Sequence, residues 1–304
     1  MATVSAQNLR WREMSGMLRP VAGYAGGVVD GRMLIAGGSY WVDRQKCWSD
    51  EVQAFDPQTN SWCFLAPLPE PRSDAASATV GNTLYICGGV TGGEASKDVL
   101  AFHRQQWKRM PDLPAPRLYA AAVTSRGALY VLGGIAKVGD YQAMTNTFWR
   151  LDPDSEAWEE LSPMPGAGRI NHAMTEIDGT IYVFGGAAAG LQDVQNLKDV
   201  YCYDLAQNAW IQLPDLLVAN RSWCAIQIEN RALLLAGYTN DYSRAVYWYG
   251  PRSGLQPAGD LPHGLADIRF YRLGSLVIGA GGEAGPRIRG QWTLAARLPV
   301  SGKG

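Results

Sequence analysis

The stretch Thr83-Leu84-Tyr85-Ile86-Cys87-Gly88-Gly89 is a phrase that this chain repeats. It returns as Ala128-Leu129-Tyr130-Val131-Leu132-Gly133-Gly134 and as Thr180-Ile181-Tyr182-Val183-Phe184-Gly185-Gly186, and Arg32-Met33-Leu34-Ile35-Ala36-Gly37-Gly38 comes before it. Two looser copies follow: Leu233–Tyr238, where Tyr238 is read as replacing the second glycine, and Ser275–Gly282. Each apolar run is short, rich in Val, Ile and Tyr, and stops at glycine, which is the pattern of a strand rather than a helix. Six copies predict six equivalent sheet units.

A second marker gives the same count. Trp11, Trp62, Trp107, Trp158, Trp210 and Leu255 each open a similar tail, as in Trp62-Cys63-Phe64-Leu65-Ala66-Pro67-Leu68-Pro69. The intervals are 51, 45, 51, 52 and 45 residues. A period near 50 with four strands per unit resembles the Kelch repeat, against about 40–45 for WD40. The resemblance covers essentially the whole chain and implies an all-β, six-bladed Kelch β-propeller. The two markers are out of phase, since Trp11 precedes the first glycine pair, while Gly281-Gly282 leaves room for only one more strand, around Gln291–Leu298. Residues 8–14 are therefore expected to complete the C-terminal blade, closing the ring and hiding two strand edges. Residues 1–304 then make a single propeller with a frayed tail over Ser301–Gly304. Within a blade the expected strands are an inner one (Ala75–Val80), the Gly-Gly strand, an aromatic one (Val200–Tyr203) and the Trp strand. Turns such as Asp56-Pro57-Gln58 and Asp152-Pro153-Asp154 join the last two.

Composition agrees with such a fold. The chain is 47% hydrophobic and 18% charged, with 35 Gly, 11 Trp and a net charge of −1. Neither a basic run nor a basic stripe is visible, which argues against nucleic-acid partners and a membrane-surface role. The five cysteines, Cys47, Cys63, Cys87, Cys202 and Cys224, form no CxxC pair, and four sit in apolar strand patterns, as expected of buried free thiols. Met1–Arg12 lacks the apolar core of a secretory signal and no apolar run reaches membrane-spanning length, so the expected location is cytoplasmic.

Two loop families should meet at one mouth of the channel: those after the glycine pairs and those that enter each inner strand. Arg72, Arg117, Arg169 and Arg221 occupy what reads as one place in four blades. They are candidates to grip an anionic ligand, or else to brace neighbouring loop carbonyls. Two residues further on stand Asp74, Tyr119, Asn171 and Trp223, a varied set expected of a binding surface or of solvated loops. His172 is a candidate second proton carrier or a satisfied loop histidine. Tyr40, Trp41, Trp48, Trp223 and Tyr238 offer apolar faces for sugar C–H groups, or core packing. Directly after the glycine anchors come Ser39, Val90, Ile135, Ala187, Thr239 and Glu283, of which Glu283 alone is ionisable.

Glu283 opens the loop Gly281-Gly282-Glu283-Ala284-Gly285-Pro286-Arg287-Ile288-Arg289. A hairpin here brings Glu283 and Arg289 together, either as acid/base and orienting group or as an ion pair that staples the loop. The segment resembles the Gly-Glu-Ala-x-Pro-Gly-x-Arg stretch of bacterial N-acetylneuraminate epimerases, the Kelch-type sialic acid mutarotases, although here Gly285-Pro286-Arg287 stands where that family has a residue, Pro, then Gly. The resemblance implies that Glu283 is catalytic, that Arg289 is a site residue, and that the substrate is sialic acid or a related reducing sugar, interconverted between anomers without a cofactor. An Arg beside Glu283 is expected to keep it ionised as a base.

Other chemistries fit less well. The three histidines, His103, His172 and His263, fall in different blades, so no metal site is expected. Galactose-oxidase-like copper chemistry lacks a His pair. Glu94, Asp98 and His103 approach the iron motif of the plant nitrile-specifier proteins, but the histidine is one residue too far along, which turns it to the other face of a strand. The alternative function is a non-catalytic Kelch propeller that binds a protein partner or a carbohydrate.

Overall fold

Every glycine pair does the same job in space. In the computed structural model, which describes residues 8–191 and 193–299, Gly88 and Gly89 take φ of 65° and 93°. A Cβ on Gly88 would stand 2.2 Å from the Arg117 carbonyl oxygen, and one on Gly89 would stand 2.6 Å from that of Ser73. The pair therefore fits between its own blade's entry loop and that of the next blade, where no side chain has room. Its second N–H donates to the next blade's entry loop in all six blades: Gly38 to Arg72, Gly89 to Arg117, Gly134 to Arg169, Gly186 to Asn220, Gly237 to Leu265 and Gly282 to Val21. The last of these closes the ring.

Six four-stranded antiparallel sheets follow from this register. Blade 1 is Ala25–Val29, Arg32–Ala36, Val52–Asp56 and Ser61–Leu65. Blade 2 is Ala76–Val80, Thr83–Cys87, Val99–His103 and Gln106–Met110. Blade 3 is Ala121–Ser125, Ala128–Leu132, Phe148–Leu151 and Glu159–Leu161. Blade 4 is Ala173–Ile177, Thr180–Ala189, Val194–Asp204 and Ala209–Leu213. Blade 5 is Cys224–Ile228, Arg231–Leu235, Ala245–Gly250 and Gly254–Asp260. Blade 6 is Arg269–Leu273, Leu276–Ala280 and Thr293–Arg297, completed on the outside by Trp11–Met14. Trp11 faces Ala296 and Met14 faces Thr293, so the N-terminal strand closes the last blade as the out-of-phase markers require. Met1–Gln7 and the tail Ser301–Gly304 lie outside the described residues.

The inner strands of neighbouring blades pack side by side around a central channel, blade 6 against blade 1 included. The core sits between blades, in layers such as Leu34, Ala54, Leu84, Ile86 and Phe102. The repeated Trp ties blades together by its indole N–H. Trp62 donates to Ser15 O at 2.9 Å, Trp107 to Ala66 O at 3.2 Å, Trp158 to Pro111 O at 3.0 Å and Trp210 to Ser162 O at 2.9 Å. Each half-buried indole therefore pairs its donor with the tail of the preceding blade. Cys87 and Cys202 are buried and Cys47 and Cys224 half-buried, but Cys63 is exposed because it points outward on the outermost strand of blade 1. Among the described residues no helix is long and apolar enough to cross a membrane.

Blade 5 corrects the register read from sequence. The entry-loop residue whose carbonyl receives the glycine N–H is Asn220, not Arg221, and Asn220 Nδ2 donates to Ala236 O as Arg72 and Arg169 donate to Gly88 O and Gly185 O. The glycine pair is replaced at its first position, where Ala236 takes φ 62°, so Gly237 is the second glycine. Tyr238 thus stands directly after the anchor, in place of Thr239.

Candidate functional site

Two residues before each inner strand, the backbone turns left-handed in every blade. The positions are Gly23, Asp74, Tyr119, Asn171, Ser222 and Asp267, with φ between 51° and 64°. Five blade-to-blade hydrogen bonds join them: Asp74 N to Gly23 O, Tyr119 N to Asp74 O, Asn171 N to Tyr119 O, Ser222 N to Asn171 O and Asp267 N to Ser222 O, all 2.6–3.1 Å. Asn, Asp and Gly suit this conformation. The ring separates two cavities of about 350 Å³ each, a central channel below and a mouth above. Gly23, Asp74, Tyr119, Asn171 and Asp267 line both. Trp223 is not a ring member, since Ser222 holds that place in blade 5.

Above the ring, each entry loop pairs with the residue after its glycine anchor. The six pairs are Ala22–Ser39, Ser73–Val90, Leu118–Ile135, Ile170–Ala187, Arg221–Tyr238 and Ala266–Glu283. Blades 2 to 4 supply a cluster of buried apolar side chains here, Val90, Leu118, Ile135, Ile170 and Ala187. Blades 5, 6 and 1 supply Arg221, Tyr238, Glu283 and Ser39 instead. The propeller is symmetric in backbone, but at this level blades 2 to 4 pack a buried apolar cluster, of which Ile170 alone reaches the mouth, while blades 5, 6 and 1 give the mouth a polar wall.

Glu283 and Arg289 face each other across the base of the last hairpin, Glu283–Gly285 with Ile288–Arg289. Arg289 Nη1 donates to Glu283 Oε1 at 2.5 Å, while its Nε and Nη2 donate to Ser39 O at 2.8 Å and Ser39 Oγ at 3.2 Å. The guanidinium is thus held by blade 1 as well as by Glu283. The Glu283 side chain keeps 27% of its surface exposed and lines the mouth with Ser39, Lys46, Asp74, Tyr119, Arg221 and Asp267. Burial raises its pKa, nearby Asp267 raises it further, and Arg289 only partly offsets them. Arg289 pulls the pKa down as the sequence reading expects, but burial outweighs the cation, so the net shift is upward.

Asp74 is also pushed up, first by burial, against the pull of Lys46 at 3.6 Å and the Ser73 hydroxyl at 2.8 Å. It in turn raises the Tyr119 phenol, and burial adds to that. A carboxyl whose folded pKa is raised favours folding below its unfolded pKa and loses that contribution as pH rises through the folded value. Asp74→Asn keeps a residue suited to φ 58° and removes the charge. The expected result is a higher thermal midpoint near neutral pH, with the gain vanishing in acid; equal midpoints at neutral pH would contradict it.

Three of the four candidate arginines serve the frame. Arg72, Arg117 and Arg169 are buried and do not line the mouth. Arg72 donates to Gly88 O at 2.6 Å and pairs with Asp98, and Arg169 donates to Gly185 O at 3.0 Å and to both Asp199 oxygens at 2.8 Å. Arg117 donates to Pro116 O and Thr147 Oγ1 and lies over the Trp149 ring. Their placement matches the bracing alternative, with their donors turned to loop carbonyls and to Asp98, Thr147 and Asp199. Asp98 is taken by Arg72 and Arg109, and the His103 ring lies by Thr83 and the Asn82 carbonyl, apart from any shared centre with Glu94. Among the described residues no group of three or more His, Cys, Asp or Glu is placed to hold a metal ion.

His172 and Trp223 stand one residue inside the ring, each 5% exposed, beside the channel rather than the mouth. Trp223 Nε1 donates to Phe184 O at 3.2 Å. Neither imidazole nitrogen of His172 has a partner among the described residues, and burial, with help from Arg169, lowers its pKa to about 3. The unfolded chain takes up that proton near pH 6.5, so stability is intact above this and drains away as pH falls toward the folded value. Ala75 and Ala120 occupy the same place in blades 2 and 3, so His172→Ala is tolerable in form. Between pH 7 and pH 5 the wild type should lose about 2 kcal/mol more than this variant in urea unfolding. Parallel pH profiles would contradict the buried neutral imidazole.

A ring of six blades with glycine anchors, interblade tryptophans and a mouth built from two loop families defines a Kelch-type β-propeller. The chain belongs to the Kelch-repeat family: the KLHDC2/KLHL20/DRC7 Kelch-repeats domain matches residues 2–186 and again 112–254. It is 26% identical to human Kelch-like protein 38 over 211 residues, 67% of this chain and 34% of that protein. With mouse Kelch-like protein 36 it shares 25% over 276 residues, 87% of this chain and 44% of that one. With rat Kelch-like protein 41 it shares 30% over 190 residues, 62% and 24%. The chain spans less than half the length of these curated relatives. In fold it resembles the solved structure of YjhT, with a TM-score of 0.76 and 16% identity over 93% of this chain and 96% of that one.

Proposed function

We propose that the polar wall of the mouth binds a reducing sugar and that Glu283 interconverts its anomers, a mutarotase-like activity, with sialic acid or a close relative as substrate. The observation that supports this is Glu283 itself: it is the one acid directly after a glycine anchor, it lines the mouth, and burial sets its pKa above the ordinary carboxylate range. A general acid/base works best when its pKa lies near the working pH. Anomer exchange takes a proton from the anomeric hydroxyl, gives one to the ring oxygen to open the ring, and reverses both on the other face. Glu283 performs one transfer at a time, with Arg289 fixing its position. Asp267 lines the same cavity and has no side-chain hydrogen bond or ion pair among the described residues, which leaves it free to accept sugar hydroxyls.

Exchange-spectroscopy NMR on free reducing sugars, N-acetylneuraminate among them, tests this. The expected result is anomer interconversion faster than in buffer alone for at least one sugar. No acceleration of any overturns the catalytic proposal.

One observation favours the alternative of a protein-binding module. Val42, Val138, Tyr141, Leu191 and Ile288 are exposed, and all lie on loops that follow glycine anchors around the same mouth. In that case substitutions of these side chains weaken a partner while Glu283→Gln leaves it bound.

A further inference from the structure

The mouth carries one symmetry break that the proton chemistry does not use. At the entry-loop position of the six bridged pairs, five blades place Ala22, Ser73, Leu118, Ile170 and Ala266, whereas blade 5 places Arg221. The backbone bridge does not require a long or charged side chain there, as the other blades demonstrate. Arg221 is half-buried and lines the mouth.

The guanidinium is fixed on two sides. It lies over the Tyr238 ring at 4.6 Å, and its Nη1 donates to Asn196 Oδ1 at 2.7 Å. Asn196 is itself fixed, because its Nδ2 donates to Tyr238 O at 2.9 Å and to Thr239 O at 2.8 Å. A planar cation ordered in this way has already given up the rotamer freedom that binding would cost. Its remaining donors have no protein acceptor among the described residues.

Charge pairing in the cavity singles out the same residue. Lys46 is paired with Asp74, and Arg289 with Glu283. Arg221 has no carboxylate within ion-pair distance among the described residues. The unpaired carboxylates that also line the mouth, Asp193 and Asp267, repel an anion elsewhere in the cavity. An anionic group is therefore favoured at Arg221 and disfavoured around it. This is how a site reads orientation as well as charge.

We propose that Arg221 is the specificity-determining residue of the mouth, anchoring a carboxylate of the substrate through the donors that Asn196 leaves free. The proposal rests on the mutarotase-like reading for its choice of substrate, and it assigns Arg221 a role separate from proton transfer. Glu283 is on the neighbouring blade at the same level of the ring, so one ligand can meet both.

The test compares N-acetylneuraminate with its methyl ester, the same sugar with its carboxylate masked. Anomer exchange is measured by NMR and binding by calorimetry, for wild type, Arg221→Gln, Arg221→Lys and Glu283→Gln. The wild type should favour the acid over the ester. Arg221→Gln should lower kcat/KM and affinity for the acid by about 10- to 100-fold, the worth of one charge-assisted pair, and leave the ester unchanged. Arg221→Lys, which keeps the charge without the planar fork, should fall between the two. Glu283→Gln should lower exchange of both sugars by about 10²- to 10⁴-fold while still binding the acid better than the ester. Equal handling of acid and ester by the wild type, or an equal loss for both in Arg221→Gln, overturns the assignment while leaving the catalytic proposal standing. Acid-selective binding that depends on Arg221 without any exchange upholds the anchor and ends the catalytic proposal. No binding of either compound overturns the anchor and leaves the catalytic proposal to the panel of free sugars. Circular dichroism and a thermal midpoint for each variant separate these losses from misfolding.

Discussion

Glu283→Gln should lower anomer exchange by about 10²- to 10⁴-fold while the propeller stays folded. Glutamine keeps the length of the side chain and an oxygen that can accept from Arg289, so the clip onto Ser39 survives. What it loses is the ability to take and return a proton. The acid limb of the wild-type rate profile should then report the Glu283 carboxyl, which works as the base only once ionised. Burial and Asp267 raise that pKa and Arg289 lowers it, so the limb should lie above the ordinary carboxylate range of about 4.3. Arg289→Gln removes the opposing cation and should move the limb to still higher pH. An Arg289→Gln limb at lower pH, or a Glu283→Gln rate close to wild type, would contradict the assignment.

The second large effect is on stability. Arg169 is 0% exposed, with Asp199 gripping both terminal nitrogens and the Gly185 carbonyl sharing one of them. Arg169→Met fills much the same space but strands a carboxylate and a carbonyl. Removing one partner of a buried pair costs about 3–5 kcal/mol, and the low end applies because Asp199 keeps 20% of its surface in water. The urea midpoint should fall accordingly, while ligand affinity per folded molecule stays the same. The reverse pattern, with stability kept and affinity lost, would return Arg169 to the role of ligand contact. Arg221→Gln should show that reverse pattern, because Arg221 is the arginine that the ring symmetry does not need.

These two arginines show where sequence and structure part. The repeat was legible because a strand ending in two glycines and a Trp at a fixed distance both reflect backbone constraints that every blade shares. The Glu283–Arg289 pairing was legible for the same reason, since a hairpin fixes which residues face each other. Blade 5 was not, because its anchors changed identity while the backbone stayed put. Ala236 accepts φ 62° where the other blades have glycine, and Asn220 repeats the carbonyl-bracing bond with a shorter side chain. Aligning on the arginine therefore slipped the register by one residue, grouping Arg221 with Arg72, Arg117 and Arg169 and placing Trp223 in the varied loop set that Ser222 belongs to. Asp267 was missed although it occupies a regular position, two residues before an inner strand, because the entry loop of blade 6 has Leu265 where blades 2 to 5 carry Arg or Asn. Counting back from each inner strand would have found all six ring residues. The net direction of the Glu283 pKa shift was beyond sequence, since it depends on how burial and Asp267 weigh against Arg289.

The polar wall built by blades 5, 6 and 1 is the claim from which the chemistry follows, and a crystal structure of the protein soaked in N-acetylneuraminate tests it most directly. The sugar is expected in the mouth above the Asp74–Asp267 ring, with the Glu283 carboxylate at hydrogen-bond distance from it and its own carboxylate on Arg221. Sugar bound only at the opposite end of the channel, or an empty mouth at saturating concentration with no lattice neighbour across it, would contradict the account.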